Sequence, residues 1–322
     1  EREKKLKFIE SGQAAIIIGT HSLFQKKVQF KNLKLAVIDE QHKFGVIQRQ
    51  SLERKGKLNT IIMSATPIPR SLALTVYGDK DLTVLNQKPK DRPSIETLIM
   101  QSSKIDNLLI KIKRDLDLGF QAYWICPLVE QSEKIDLSNS MDRFDYLKQA
   151  LINVNVGLIH GKMSPEEKEN ELAKFNDGIT EVLVSTTVIE VGIDNPNAVS
   201  IVIECANRFG LSQLHQLRGR VGRGKEKSFC FLIYDLPLSE SAIERLKIMK
   251  DTNDGFQIAE KDLYLRGSGD FFGTMQSGDQ IFRLANLKEN KSLQEQAISL
   301  LMELESKDKI SSEEFYQLRR FL

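Results

Sequence analysis

Between Leu211 and Gly224 the chain reads LSQLHQLRGRVGRG, with three arginines standing among three glycines. Lysine and glutamate would serve a solvated surface equally well. Arginine instead offers a planar fork that meets a phosphate through two bonds and keeps its charge. Leu211, Leu214, Leu217 and Val221 recur at spacings of three, three and four, which predicts a helix with one apolar stripe. Gln216, Arg220 and Arg223 fall on a different face, at spacings of four and three. The chemistry this predicts is arginine fingers on a nucleotide phosphate. A second candidate is Asp39-Glu40, which closes the apolar run Leu35–Ile38. The C-terminal edge of an open parallel sheet is where ligands bind. One carboxylate there can hold magnesium while its neighbour orients or deprotonates an attacking water. The same pair reads equally well as an acidic N-cap for the segment that follows.

Two weaker stretches share that position after a strand. In IMSATPIP (Ile62–Pro69), Ser64 and Thr66 can carry hydrogen bonds between layers of a site, although a plain strand-to-loop turn explains the pattern better. In LVSTTVIEVGIDN (Leu183–Asn195), the hydroxyls of Ser185, Thr186 and Thr187 suit phosphate contacts. Gly192 there permits close backbone approach, and Asp194 can reach a ribose hydroxyl.

Short apolar runs alternating with amphipathic stretches predict a parallel α/β protein to position these residues. The expected strands are Ala14–Ile18, Leu35–Ile38, Thr60–Met63, Ala122–Ile125, Gly157–Ile159, Val182–Val184, Ser200–Ile203 and Phe229–Ile233. Ser164, Pro165 and Glu167 predict a capped helix start, and Asn176-Asp177-Gly178 its end. A domain boundary is expected near QKPKDRP (Gln87–Pro93). Beyond about Leu236 helices are expected at Ser239–Lys250, Asp254–Leu265 and Lys291–Glu305, with a last capping box at Ser311–Glu314. The 322 residues carry 46 Lys and Arg against 44 Asp and Glu, and a net charge of +2 excludes nucleic-acid binding by bulk charge alone. The three cysteines form no C-x-x-C pair, which predicts reduced thiols. No histidines pair at metal-ligand spacing, and no G-x-G-x-x-G opens a helix, which disfavours a metalloenzyme or a dinucleotide enzyme.

Taken in order, DEQH, SATPIPR, STTVIEVGID and QLRGRVGRG resemble the signature of superfamily 2 helicases and translocases. The motor of that superfamily is two RecA-like lobes with ATP bound between them. GTHSL (Gly19–Leu23), DEQHKFGVIQR, YWICPLVEQSEKIDL and RFGLSQLHQLRGRVGRG narrow the resemblance to the RecG family of ATP-dependent DNA helicases. DGFQIAEKDLYLRGSGDFFGTMQSG is similar to the helical hairpin which that family shares with the transcription-repair coupling factor. The likeness runs from about Gln13 to Gly278 and somewhat beyond.

The resemblance implies an α/β fold of RecA-like parallel-sheet lobes, the first incomplete and the second complete, followed by a C-terminal helical hairpin. The domains it implies are 1–88, 89–236 and 237–322. It implies that Asp39 binds Mg2+, that Glu40 activates the hydrolytic water, and that Gln216, Arg220 and Arg223 complete the ATP site. Gly192 and Asp194 would contact nucleotide, and Thr20, His21 and Thr187 would face the DNA backbone. Gln41, His42, Ser64 and Thr66 would couple the two sites, and the hairpin around Arg266 and Gln276 would pass the motion to duplex DNA. The implied cofactors are ATP and Mg2+. The implied partner is branched or forked double-stranded DNA in recombination and repair, handled by a monomer in the bacterial cytosol with no membrane attachment.

The pattern also departs from the family. No G-x-x-x-x-G-K-[ST] phosphate loop occurs, since the GK pairs at Gly56, Gly161 and Gly224 are followed by Leu58, Met163 and Glu226 where the loop needs Ser or Thr. The family's N-terminal DNA-binding wedge has no counterpart, Ser268 stands where the family has Pro, and Met275 where it has Arg. Truncation is the expectation, with Glu1 falling inside the first lobe, and the chain alone is expected to hydrolyse ATP negligibly. The alternatives are the transcription-repair coupling translocase, against which His42 and His215 speak, and a non-catalytic DNA- or partner-binding module.

Overall fold

The computed structural model describes residues 2–25, 27–39, 58–64, 83–85, 92–127, 133–186 and 195–266, together with Gln296 and Leu300. The chain divides into two compact units, Glu1–Pro67 and Ile68–Leu322.

In the first unit, helix α1 (Arg2–Ser11) ends at Gly12, whose φ of +74° is the left-handed cap that glycine adopts without strain. Strands β1 (Leu35–Ile38) and β2 (Asn59–Ile62) run parallel in register, Leu35 opposite Asn59 and Ile38 opposite Ile62. The strand expected at Ala14–Ile18 does not form. Its apolar residues have no neighbouring strand to pair with among the described residues, and Ile16 and Ile18 stand 84% and 93% exposed. A strand needs a ladder partner as well as β-branched side chains.

The second unit is built on a six-stranded, wholly parallel sheet in the order β3-β8-β7-β4-β6-β5. The strands are β3 (Glu96–Gln101), β4 (Gln121–Ile125), β5 (Val156–Ile159), β6 (Val182–Ser185), β7 (Ala198–Ile203) and β8 (Phe229–Tyr234). Helices cover both faces, so the central strands are buried on both sides and read as near-continuous apolar runs rather than alternating ones. Along β4, Tyr123 and Ile125 enter one core while Ala122 and Trp124 enter the other.

The core of Ala122 and Trp124 is closed by α2 (Ile105–Asp117) through Leu108, Leu109, Ile112 and Leu116, and by α3 (Glu133–Ala150) through Leu147. The other core takes Phe175 from α4 (Pro165–Asn176) and Leu211, Leu214 and Leu217 from α5 (Leu211–Arg218). It also takes Leu246, Ile248 and Met249 from α6 (Glu240–Asp251) and Ile258 from α7 (Gly255–Arg266). The helices that follow the last strand are thus packed into the same core as α5.

The capping box expected at Ser164 is present in both directions. Glu167 N–H donates to Ser164 Oγ at 3.2 Å, and Ser164 N–H donates to Glu167 Oε2 at 2.7 Å. The helix ends at Asn176, with Gly178 at φ +75°. Helices also form where Ser239–Lys250 and Asp254–Leu265 predict them. β3 escapes the sequence reading because, as an edge strand beside β8, it buries only Thr97 fully. The helix expected at Lys291–Glu305, apart from Gln296 and Leu300, and the capping box at Ser311–Glu314 lie outside the described residues.

Candidate functional site

The first unit brings two of the predicted residues to one sheet edge. Asp39 follows the last residue of β1, and Ser64 stands two residues beyond β2. The strands are parallel, and Met63 N–H donates to Ile38 O at 2.8 Å, so both residues emerge at the same C-terminal edge. Both are exposed. Thr20 precedes a 3-10 turn at His21–Phe24, and its hydroxyl lies 3.3 Å from that of Ser22. Glu40, Gln41, His42 and Thr66 lie outside the described residues.

In the second unit, α5 buries its stripe as predicted, with Leu211 and Leu214 fully enclosed and Leu217 and Val221 nearly so. The helix nevertheless stops at Arg218, so Arg220 and Arg223 do not share a helical face with Gln216. Gly219 and Gly222 explain the stop, since glycine is a poor helix former. Gly222 takes φ +74°, and a Cβ there would sit 2.8 Å from Ile95 Cγ1. Arg220 and Arg223 are therefore carried on a turn. Its geometry is set by Gly219 N–H to His215 O at 3.0 Å, Arg220 N–H to Leu217 O at 3.0 Å and Val221 N–H to Arg218 O at 3.3 Å. Arg223 Nε donates to Gly219 O at 3.3 Å, which folds its side chain back along the turn. Gln216, Arg220 and Arg223 are each half-buried.

The third arginine has a different environment. Arg218 is only 2% exposed and donates to Met249 O at 2.7 Å, Thr252 O at 3.0 Å and Thr97 Oγ1 at 3.2 Å. Its Nη2 also lies 3.2 Å from His215 Nδ1. A guanidinium has no acceptor, so Nδ1 must hold the lone pair and the ring proton sits on Nε2. Burial pulls the Arg218 guanidinium below its ordinary pKa. Sequence reasoning grouped it with the phosphate-seeking arginines, but one signal separates them. Arg218 lies seven residues past Leu211 and four past Leu214, which is the register of the buried stripe.

The stretch after β6 also departs from expectation. Ser185 and Thr186 are buried, and Ser185 Oγ donates to Thr186 O at 2.7 Å, so the Ser185 hydroxyl is spent within the chain. Thr187, Gly192 and Asp194 lie outside the described residues. Asn195, just before β7, belongs to a buried amide pair which the sequence did not reveal. Gln121 Nε2 donates to Phe175 O at 2.5 Å and to Thr180 O at 2.7 Å. Asn195 Nδ2 donates to Gln121 Oε1 at 3.1 Å and to Phe175 O at 3.3 Å.

Arg266 ends α7, and Gln276 lies outside the described residues. His160 stands just past β5, where burial, and then Lys168, pull its imidazole below the ordinary value. A groove of about 750 Å³ runs beside it between Phe144, Lys148, Glu167 and Lys174, and holds none of the predicted site residues. All three cysteines are free. Burial raises each thiol, Cys205 to about 11 and Cys230 to about 12. Among the described residues no three His, Cys, Asp or Glu side chains gather as a metal site, and no helix is long and apolar enough to cross a membrane.

Known protein families match the chain in three successive stretches. Residues 1–75 match the DEAD/DEAH box helicase family and residues 104–225 the helicase conserved C-terminal domain. Residues 252–317 match the C-terminal part of domain 3 of the ATP-dependent DNA helicase RecG. The chain is 48% identical over 288 residues to the ATP-dependent DNA helicase RecG of Bacillus subtilis, covering 89% of this chain and 42% of that protein. It is 44% identical over 324 residues to that of Staphylococcus epidermidis, covering 100% of this chain and 47% of that protein. The chain thus spans less than half the length of these relatives. A solved structure of RecG bound to a three-way DNA junction matches with a TM-score of 0.68 and 40% identity, over 91% of this chain and 38% of that one. The helicase MrfA bound to DNA matches at 0.55 with 17% identity, over 82% of this chain and 40% of that one, a likeness of fold alone. Two helicase-domain matches in chain order, a RecG-specific match beyond them and identity near 45% along the whole length place the chain in one group: it belongs to the RecG family of superfamily 2 helicases.

Proposed function

We propose that this chain supplies part of an ATP-driven DNA motor that remodels branched duplexes, such as forks and Holliday junctions, in recombination and repair. The observation that carries the reading is the division of labour among the three arginines. Arg218 is sealed in the interior, whereas Arg220 and Arg223 sit on the turn that follows, half-buried, in a chain of the RecG family. In this reading those two neutralise the charge that develops on the transferred phosphoryl group, with Gln216 beside them. Gly192 and Asp194 contact the nucleotide. Asp39 is an exposed carboxylate at a strand end and fits a magnesium ion, which takes one or two carboxylates alongside the phosphates of its nucleotide. When bound, the ion would neutralise phosphate charge, while Glu40 orients the attacking water.

Thr20, His21 and Thr187 face the DNA backbone in this reading. Gln41, His42, Ser64 and Thr66, with Arg266 and Gln276, link nucleotide state to DNA. The working divisions are residues 1–88, 89–236 and 237–322, in a monomer of the bacterial cytosol. These 322 residues contain no phosphate loop, so the chain by itself turns over ATP negligibly.

The test uses the chain alone and a chimera in which it replaces the matching part of the Bacillus subtilis relative. The chimera should hydrolyse ATP when forked DNA is added, and the chain alone should not. Arg220→Ala in the chimera should lower kcat by about 10³-fold, the usual contribution of an arginine finger. Robust turnover by the chain alone, or a chimera indifferent to Arg220→Ala, would refute the reading.

A further inference from the structure

Helix α5 is fastened at both ends to the helices that follow the sheet. At its start Ser212 Oγ donates to Asp262 Oδ2 on α7 at 2.8 Å, and Asp262 is 1% exposed. At its end Arg218 donates to Met249 O and Thr252 O, at the C-terminal end of α6. The last carbonyls of a helix have no N–H partner within it and carry the negative end of its dipole, so they suit a buried guanidinium. Among the described residues no carboxylate bonds to Arg218. Two of its four acceptors, the carbonyls of Met249 and Thr252, are in place only while α6 ends where it does. The turn that carries Arg220 and Arg223 starts at the next residue, Gly219.

We propose that Arg218 is a positioning residue that pins the root of the arginine turn to the C-terminal end of α6, so that the end of α6 sets where Arg220 and Arg223 stand. The proposal rests on the reading of those two arginines as phosphate-facing, and two measurements separate its fate from that of the reading.

The first needs no nucleotide. In the 322-residue chain, Arg218→Met should speed amide hydrogen exchange at Gly219, Arg220, Val221 and Thr252 together, by about 10-fold or more, and leave α4 unchanged. Unchanged exchange at the turn or at Thr252 overturns the pinning. The second uses the chimera. Arg218→Met should lower kcat by about 10²-fold, the scale of a misplacement of about 1 Å, while KM for ATP stays within about twofold.

Leu147→Ala, buried in α3 against the opposite face of the sheet, serves as the comparator for a purely structural loss. It should lower the urea midpoint by a similar amount and leave kcat unchanged. Equal losses of kcat in the two variants overturn the proposal. Should Arg218→Met fail to fold, Arg218→Lys is read in its place. It keeps the charge but has one nitrogen for four acceptors, so kcat should fall part of the way, and a kcat equal to that of the unaltered chimera overturns the proposal. A chimera that is inactive before any substitution refutes the functional reading, and the exchange measurement then decides on Arg218 alone.

Discussion

Replacing Gln121 by leucine tests the buried amide pair that it forms with Asn195. Gln121 and Asn195 are 3% and 2% exposed, so their hydrogen bonds have no water to replace them. After Gln121→Leu, Phe175 O keeps Asn195 Nδ2 and the Gly178 N–H at 3.2 Å. Thr180 O loses its one donor among the described residues, and Asn195 Nδ2 loses the nearer of its two acceptors. A buried acceptor left unmatched costs about 1–3 kcal/mol, and the half-satisfied amide adds about 1 kcal/mol. The apolar leucine returns about 1 kcal/mol of burial, leaving a net loss of about 2 kcal/mol. With a urea m-value of about 3 kcal/mol/M, the midpoint should fall by about 0.7 M. The single tryptophan, Trp124, lies three residues along β4 and is fully buried, so its fluorescence reports this unit directly. Gln121→Glu should be worse than leucine at neutral pH, because a carboxylate would face two carbonyls. Those carbonyls raise its folded pKa above the ordinary value of about 4.3, so the deficit should shrink as the pH falls through that raised pKa. A midpoint shift below about 0.2 M for Gln121→Leu, with m unchanged, would show that the pair contributes little and refute the reasoning.

Two further perturbations follow from the glycines and the capping box. Gly224→Ala places a Cβ 2.5 Å from Pro196 O, and Gly222→Ala places one 2.8 Å from Ile95 Cγ1 at φ +74°, whereas a Cβ at Gly161 meets nothing within 4 Å. The first two should each lower stability by about 1–3 kcal/mol and the third by less than about 0.5 kcal/mol, as read from urea midpoints; three equal effects would contradict the close approach. The Ser164 backbone and side-chain bonds hold the Glu167 carboxyl below its ordinary pKa. A lowered folded pKa means that the capping box stabilises above the unfolded value and that this contribution is lost as pH falls through the folded one. Glu167→Gln should therefore flatten the acid limb of the stability–pH profile, and a profile identical to that of the unaltered chain would remove the capping box as its cause.

What the sequence discloses depends on whether a residue's task is local. The start and stop of α4 were readable from Ser164, Glu167 and Gly178 because capping is settled within one turn of chain. The central strands were readable because burial on both faces leaves mostly apolar residues in them, and the edge strand β3 was not, because its exposure dilutes that signal. Ala14–Ile18 has the composition of a strand, but pairing depends on residues distant in sequence, and no local pattern reports it. The arginines make the sharpest case. Arg218, Arg220 and Arg223 share one motif and one chemistry, and nothing in residue type separates the first from the others. Separation comes from the carbonyls of Met249 and Thr252, more than thirty residues downstream, which turn Arg218 from a candidate phosphate ligand into a clamp. The helical register already placed Arg218 among the buried leucines. A charged residue in the register of an apolar stripe implies a buried polar partner somewhere in the fold, because the desolvation of a lone guanidinium would otherwise exceed what the stripe can supply. That implication can be drawn from sequence, whereas the identity of the partner needs the fold.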